Sequence, residues 1–163
     1  MGAHHFDIAQ WALDTDGSGP VRVEPPPVPA NRGLKFTNAN GVEMYHGGAS
    51  RCTFLGTDGF MHVDRGIILS QPDGILKNLL PKDAKQVYHA TDHRGNWLEC
   101  IRNRKETICP AEVGHRSATV CMLGNIGYWL RRPLSWDPKE ERFVGDDEAN
   151  KQLARAMRAP WKL

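Results

Sequence analysis

The feature that most limits how this chain can fold is a run of short segments between residues 34 and 69. Within each segment apolar and polar residues alternate, which is typical of half-buried strands. Short turns that contain glycine separate them, at residues 38–41, 56–59 and 64–66. Because such turns supply the positive φ that tight hairpins need, neighbouring strands should be antiparallel. The run therefore predicts an antiparallel meander whose sheet has one open face.

Helical patterns flank this run on both sides. Apolar residues recur at helical spacing over residues 4–13, 93–104 and 111–131, and residues 147–157 predict a short final helix. One helix, then antiparallel strands, then helices is an α+β order, with the helices packed on one face of a mostly antiparallel sheet. The chain contains neither GxGxxG nor GxxxxGK[ST], so a Rossmann domain is predicted to be absent.

The length and charge of the chain restrict its number of domains and the partners it can have. A chain of 163 residues suits one domain with one core, here residues 1–163 beginning at the helix of residues 4–13. No stretch approaches the roughly 20 apolar residues that cross a bilayer, so no membrane partner is expected. The 21 basic and 19 acidic residues are well mixed, which makes nucleic acid an unpromising partner. Residues 1–20 lack the features of a signal peptide, and localisation stays open between cytoplasm and periplasm.

The cysteines and histidines do not form a metal motif. Cys52, Cys100, Cys109 and Cys121 have no CxxC spacing and lie in or beside apolar segments, so buried thiols are predicted. The tryptophan near the chain end, Trp161, is expected to be packed or bound. The seven histidines include no HExxH and no paired Cys/His motif, so no metal ligand is predicted.

Two adjacent histidines at the start of the first helix are the sharpest candidate for chemistry. His4 and Asp7 are three residues apart and share a helix face, so the carboxylate can orient the imidazole, while His5 points elsewhere. A histidine held in this way can give or take the proton of a hydroxyl or carbonyl group. The alternative is that the pair only caps the helix, and the residues alone favour neither interpretation.

A second candidate lies at the start of the long helix. There His115 and Arg116, beside unpaired backbone N–H groups, could bind an anionic or polyhydroxylated ligand. A structural role is favoured, because Glu112 complements the helix dipole and Gly114 permits close packing.

The order of these motifs resembles one family almost from end to end. The stretch GAHHFDIAQWAL at residues 2–13 resembles the active-site helix of the Gfo/Idh/MocA oxidoreductases, the glucose-fructose oxidoreductase and inositol dehydrogenase family. The hairpin glycines, HRGNWL at 93–98, EVGHRS at 112–117 and MRAPW at 157–161 agree as well. The chain is therefore identified as a C-terminal domain of this family.

The resemblance implies a two-domain enzyme whose N-terminal Rossmann domain binds NAD or NADP. A lysine of that domain and a DxxxH pair handle the substrate hydroxyl. His4 matches the histidine of the pair, whereas the aspartate would fall before Met1. The resemblance thus makes His4 the candidate catalytic residue. The candidate substrate contacts, taken from the residues themselves, are His5, Asp7, His115 and Arg116. It implies no cofactor-binding residue in this chain, and a homo-oligomer built through the sheet.

The leading hypothesis is the C-terminal portion of an NAD(P)-dependent oxidoreductase that acts on a sugar or polyol and is inactive without its cofactor domain. A stand-alone, non-catalytic sheet module for binding or oligomerisation is the alternative from another class. An NAD-dependent glycoside hydrolase of the same family is a third hypothesis.

Overall fold

The computed structural model describes residues 2–47, 51–78, 81–84 and 88–161. Its five helices are α1 (Gly2–Ala12), α2 (Gly74–Lys77), α3 (His93–Asn103), α4 (Ala111–Leu130) and α5 (Asp147–Asn150). Its strands are β1 (Pro20–Glu24), β2 (Lys35–Asn38), β3 (Glu43–Tyr45), β4 (Cys52–Gly56), β5 (Gly59–Asp64), β6 (Ile67–Gln71), β7 (Leu134–Asp137) and β8 (Arg142–Phe143). This confirms the α+β class.

The strands form two separate sheets, both antiparallel. A five-stranded sheet has the order β3-β2-β1-β7-β8, and a three-stranded sheet has the order β4-β5-β6. All three predicted hairpins form, and Gly41, Gly59 and Gly66 have positive φ at their turns. The single meander is wrong, because β3 ends one sheet and β4 begins the other. Alternation fixes pairing within a hairpin but not between hairpins, which depends on what each packs against.

The core lies between one face of the five-stranded sheet and α4. Val23, Phe36 and Leu134 on the strands are buried against Val120 and Leu123 of the helix. Gly124 and Gly127 let the helix approach closely, since a Cβ at 127 would lie 2.8 Å from a methyl of Val23. The other face of this sheet carries polar side chains such as Arg22, Lys35 and Glu43. Helix α4, with Phe6 of α1 against the same core, therefore covers one face of this sheet.

Helix α1 packs against α4 and the core. The hydroxyl of Ser117 donates to Asp7 Oδ1 over 2.8 Å, and the ring of Phe6 meets Phe36 edge-on at 5.5 Å between centroids. Gln10 is fully buried, and its amide donates to the carbonyl of Thr15, which closes the turn after the helix. The first helix is thus fixed along its length.

The C-terminal region departs most from the sequence predictions. Strands β7 and β8 were not predicted, although Trp136 and Phe143 stack edge-on at 5.0 Å and belong to the core. Helix α5 is much shorter than residues 147–157, because Asn150 turns inward and exchanges two hydrogen bonds with the backbone of Phe143. Trp161 is 64% exposed, so it is not packed against the described part of the chain, and the alternative that it is bound stays a prediction.

The cysteines also differ in part from their prediction. All four are free thiols; Cys100 is buried, Cys52 and Cys121 are half-buried, and Cys109 is exposed. The buried-thiol prediction is therefore wrong for Cys109, which lies in the exposed connection just before Pro110. None of the helices in the described ranges is long and apolar enough to cross a membrane.

Candidate functional site

The first turn of α1 carries both candidate histidines at the protein surface. His4 is exposed and His5 is half-buried. His4 is thus more accessible to a ligand than His5, and the two histidines have different neighbours.

Asp7 does not serve His4 in the way the spacing predicted. Its carboxylate accepts the hydroxyl proton of Ser117, and among the described residues no hydrogen bond or ion pair joins Asp7 to His4. The bond to Ser117 instead anchors α1 to α4. Asp7 therefore fixes the position of α1 and of His4 on it.

His5 faces the three-stranded sheet. Its Nε2 lies 3.6 Å from Oδ1 of Asp64 at the end of β5, and the two side chains are 19% and 24% exposed. The thiol of Cys52 on β4 donates to the backbone carbonyl of His5 over 3.1 Å. The carboxylate that pairs with His5 thus belongs to Asp64 on β5 and not to a residue of α1.

Asp64 begins a row of polar side chains along β4 and β5. Its Oδ2 lies 3.7 Å from Nε of Arg51, and Nη1 of Arg51 lies 3.3 Å from Nε2 of His62. Nδ1 of the same ring lies 2.8 Å from Oγ1 of Thr53. The ring of His62 is therefore held between Arg51 and Thr53. We call Thr53, His62, Arg51, Asp64 and His5 the polar row.

Asp64 is the acidic member of the polar row and stays ionised. The backbone N–H of Arg65 is the largest cause that lowers its pKa, and His5 and Arg51 lower it further, against the effect of burial. A fixed negative charge therefore lies between the imidazole of His5 and the guanidinium of Arg51. It compensates the positive charge of Arg51.

Sequence reasoning missed the four members of the polar row on the sheet. A signal for part of it exists, because the two-residue turn Thr57-Asp58 sets a register that brings Thr53 opposite His62. No such sequence pattern predicts the contact between Asp64 and His5, since it joins two elements that are far apart in the sequence.

His115 and Arg116 lie elsewhere, beside the turn between β7 and β8. Nε2 of His115 lies 2.5 Å from Glu141, and Arg116 binds Glu112, Glu141 and the carbonyl of Pro138. The hydrogen bond from His115 is the largest cause that lowers the pKa of Glu141. These contacts join the start of α4 to the turn, and no described contact links the two residues to His4 or His5.

The described helices and strands form neither a metal centre nor a dinucleotide-binding unit. Across residues 2–47, 51–78, 81–84 and 88–161, no three histidine, cysteine or acidic side chains could hold a metal ion together. All described strand pairs are antiparallel, whereas a dinucleotide-binding unit needs parallel strands joined through a helix. The described strands therefore do not form such a unit.

Comparison with known proteins agrees with this arrangement of elements. The family model described as "Oxidoreductase family, C-terminal alpha/beta domain" matches residues 1–163. Neither the curated proteins nor the solved structures contain a match to this chain. The family match spans the two histidines of α1, both sheets and the long helix, so the chain belongs to the Gfo/Idh/MocA oxidoreductase family as its C-terminal domain.

Proposed function

We propose that this chain forms the substrate-binding half of an oxidoreductase that uses NAD or NADP and acts on a sugar or polyol. The observation that carries the proposal is the first turn of α1, where His4 is exposed and His5 meets the polar row, in a chain of an oxidoreductase family. A histidine in such a place can take the proton of a hydroxyl group while its carbon loses a hydride.

His4 is the proton donor or acceptor in this proposal. Its exposure makes it reachable, and Asp7 holds its helix through Ser117. His5 is a second contact to the substrate. The bonds of His115 and Arg116 to Glu141 support a structural role for these two residues over the predicted substrate contact.

The nicotinamide cofactor belongs to a separate nucleotide-binding domain in this proposal, because the described strand pairs are all antiparallel and do not form a dinucleotide-binding unit. Large apolar side chains on α1 and α4 support a docked partner domain. Trp11, Met122 and Trp129 are 59%, 59% and 61% exposed. Apolar surface of this kind is typical of a contact with another domain.

A non-catalytic binding or oligomerisation module is the second candidate. The polar face of the five-stranded sheet, which carries Arg22, Lys35 and Glu43 opposite the core, supports this candidate. Such a face could also build the homo-oligomer of the leading proposal. The two candidates differ in whether any hydride is transferred.

The test assays the chain and the complete product of its gene in parallel with NAD+ or NADP+ and a panel of sugars and polyols. We expect reduced nicotinamide to form with the gene product. His4→Asn should lower the rate about 10²- to 10⁴-fold, the usual size of a general acid or base effect. His93→Asn, at the exposed start of α3, is the matched control and should leave the rate unchanged. Equal rates in both variants, or no reduction with any member of the panel, would contradict the proposal.

A further inference from the structure

The outer edge of β6 is a place where another strand can add to the three-stranded sheet. The order β4-β5-β6 means that β6 pairs with β5 on one side and with no other described strand. Every second residue of an antiparallel strand directs its backbone N–H and C=O away from a given neighbour. The outer side of β6 therefore presents a row of backbone hydrogen-bonding groups.

The other edges of the two described sheets are each protected against such pairing. Strand β3 carries the charged Glu43. Strand β8 has only two residues, and the side chain of Asn150 bonds to both the N–H and the C=O of Phe143. Strand β4 lies beside α1, where the thiol of Cys52 donates to the carbonyl of His5. Charges, short strands and covering elements are the usual means by which proteins protect a sheet edge.

Strand β6 has neither a charged residue nor a proline, and its sequence is IILSQ. Ile67, Ile68 and Leu69 are 42%, 53% and 53% exposed. Because successive side chains of a strand point to opposite faces, this edge has apolar surface on both faces of the sheet. Helix α2 follows the strand and adds the exposed Ile75 and Leu76. Exposed backbone between exposed branched side chains favours pairing with another strand.

A second copy of β6 is complementary to this edge in shape and in charge. Two copies related by a two-fold axis form a closed dimer, and their edge strands run antiparallel. With the axis at Leu69, the middle of the strand, each Leu69 faces its copy and Ile67 faces Gln71. The same register brings the exposed Arg65 level with Asp73 of the second copy.

Asp73 is available for this contact. Its side chain is 76% exposed and pairs over 2.9 Å with Lys77, which is 74% exposed. Such an exposed pair contributes little by itself, so sharing the carboxylate with Arg65 costs little. The two-fold axis repeats the contact at both ends of the paired strands.

We propose that two copies of this chain pair through β6, antiparallel and centred on Leu69, and so form one six-stranded sheet. Residues opposite each other across antiparallel strands lie on the same face. The line of Thr53, His62 and Leu69 in one copy therefore continues into the same line of the other copy. The polar rows of both copies then share one face, with the two His62 residues about 14 Å apart at the usual strand spacing. The proposal does not rest on the proposed function.

An exchange of charges tests the proposed register by sedimentation equilibrium over a range of concentrations. The wild-type chain should show an equilibrium of monomer and dimer. Arg65→Glu should raise the dimer Kd about 10-fold, because an attraction becomes a repulsion at both ends of the paired strands. Adding Asp73→Arg to Arg65→Glu should restore the wild-type Kd. Arg94→Glu, with the same change of charge at the exposed start of α3, is the matched control and should leave the Kd unchanged.

A second variant and a second measurement separate this edge from any other contact. Leu69→Lys places two like charges at the axis and should abolish the dimer, while circular dichroism should show an unchanged fold because the side chain is exposed. Amide hydrogen exchange along β6 should slow when the wild-type dimer forms.

Four results would overturn the inference: a wild type that stays monomeric at every concentration, a dimer that leaves exchange along β6 unchanged, a double variant no tighter than Arg65→Glu, or an equal weakening by Arg94→Glu. Failure of nicotinamide reduction with the dimer intact would overturn only the proposed function.

Discussion

Replacing Gly127 with alanine tests how closely α4 approaches the five-stranded sheet. The new Cβ would lie 2.8 Å from Cγ1 of Val23 and 2.9 Å from Cδ1 of Leu34, and both side chains are fully buried. Overpacking of this kind costs about 1–3 kcal/mol, and the gain in helix propensity offsets roughly 0.5–1 kcal/mol of it. We therefore expect Gly127→Ala to lower the free energy of unfolding by about 0.5–2 kcal/mol, measured by urea denaturation.

Gly114→Ala is the matched control in the same helix. No atom lies within 4 Å of the Cβ it would add, so only the propensity gain remains. This variant should be more stable than the wild type by about 0.5–1 kcal/mol. A Gly127→Ala variant as stable as the wild type, or an equal loss of stability in both variants, would refute the close approach of α4 to the sheet.

Three further predictions concern charges and thiols outside the polar row. The hydrogen bond from Arg132 is the largest cause that lowers the pKa of Asp146 from 3.8 to about 2, and the backbone N–H of Ala149 lowers it further, so these contacts stabilise the fold above pH 3.8 and their contribution is lost as the pH falls through 2. Arg132→Gln should therefore move the midpoint of acid unfolding, followed by circular dichroism, to higher pH, and an unchanged midpoint would refute this. His115→Ala should raise the pKa of Glu141 in a carboxyl NMR titration, because the largest cause of its lowered value is removed; an unchanged titration would count against that bond. Cys109, the exposed cysteine, should be the first of the four to react with a neutral thiol reagent in the folded protein, and faster reaction elsewhere would contradict its placement.

The hairpins were predictable because their cause is local. A short turn with glycine at positive φ fixes both the direction and the register of the two strands beside it, as between β4 and β5. The helices α1, α3 and α4 were predictable for a similar reason, since periodic apolar residues and flanking breakers set their approximate ends.

The division into two sheets and the polar row depend on contacts between distant segments. Strand β7 pairs with β1 through residues such as Val23 and Leu134. No local sequence pattern predicts this pairing. In the same way, Asp7 has two possible partners, a histidine on its own helix and Ser117 on another, and helix spacing reveals only the first. The sequence thus predicted α1 and its two candidate histidines, but not the strand residues that contact His5.

Transfer of deuterium tests most directly whether this chain serves hydride transfer. The complete gene product is incubated with NAD+ or NADP+ and sugars or polyols deuterated at every carbon, and the nicotinamide is examined by mass spectrometry. The account predicts reduced nicotinamide that carries deuterium, formed about 10²- to 10⁴-fold more slowly in His4→Asn. Nicotinamide that stays oxidised with every compound, or deuterium transfer that His4→Asn leaves at the wild-type rate, would contradict it.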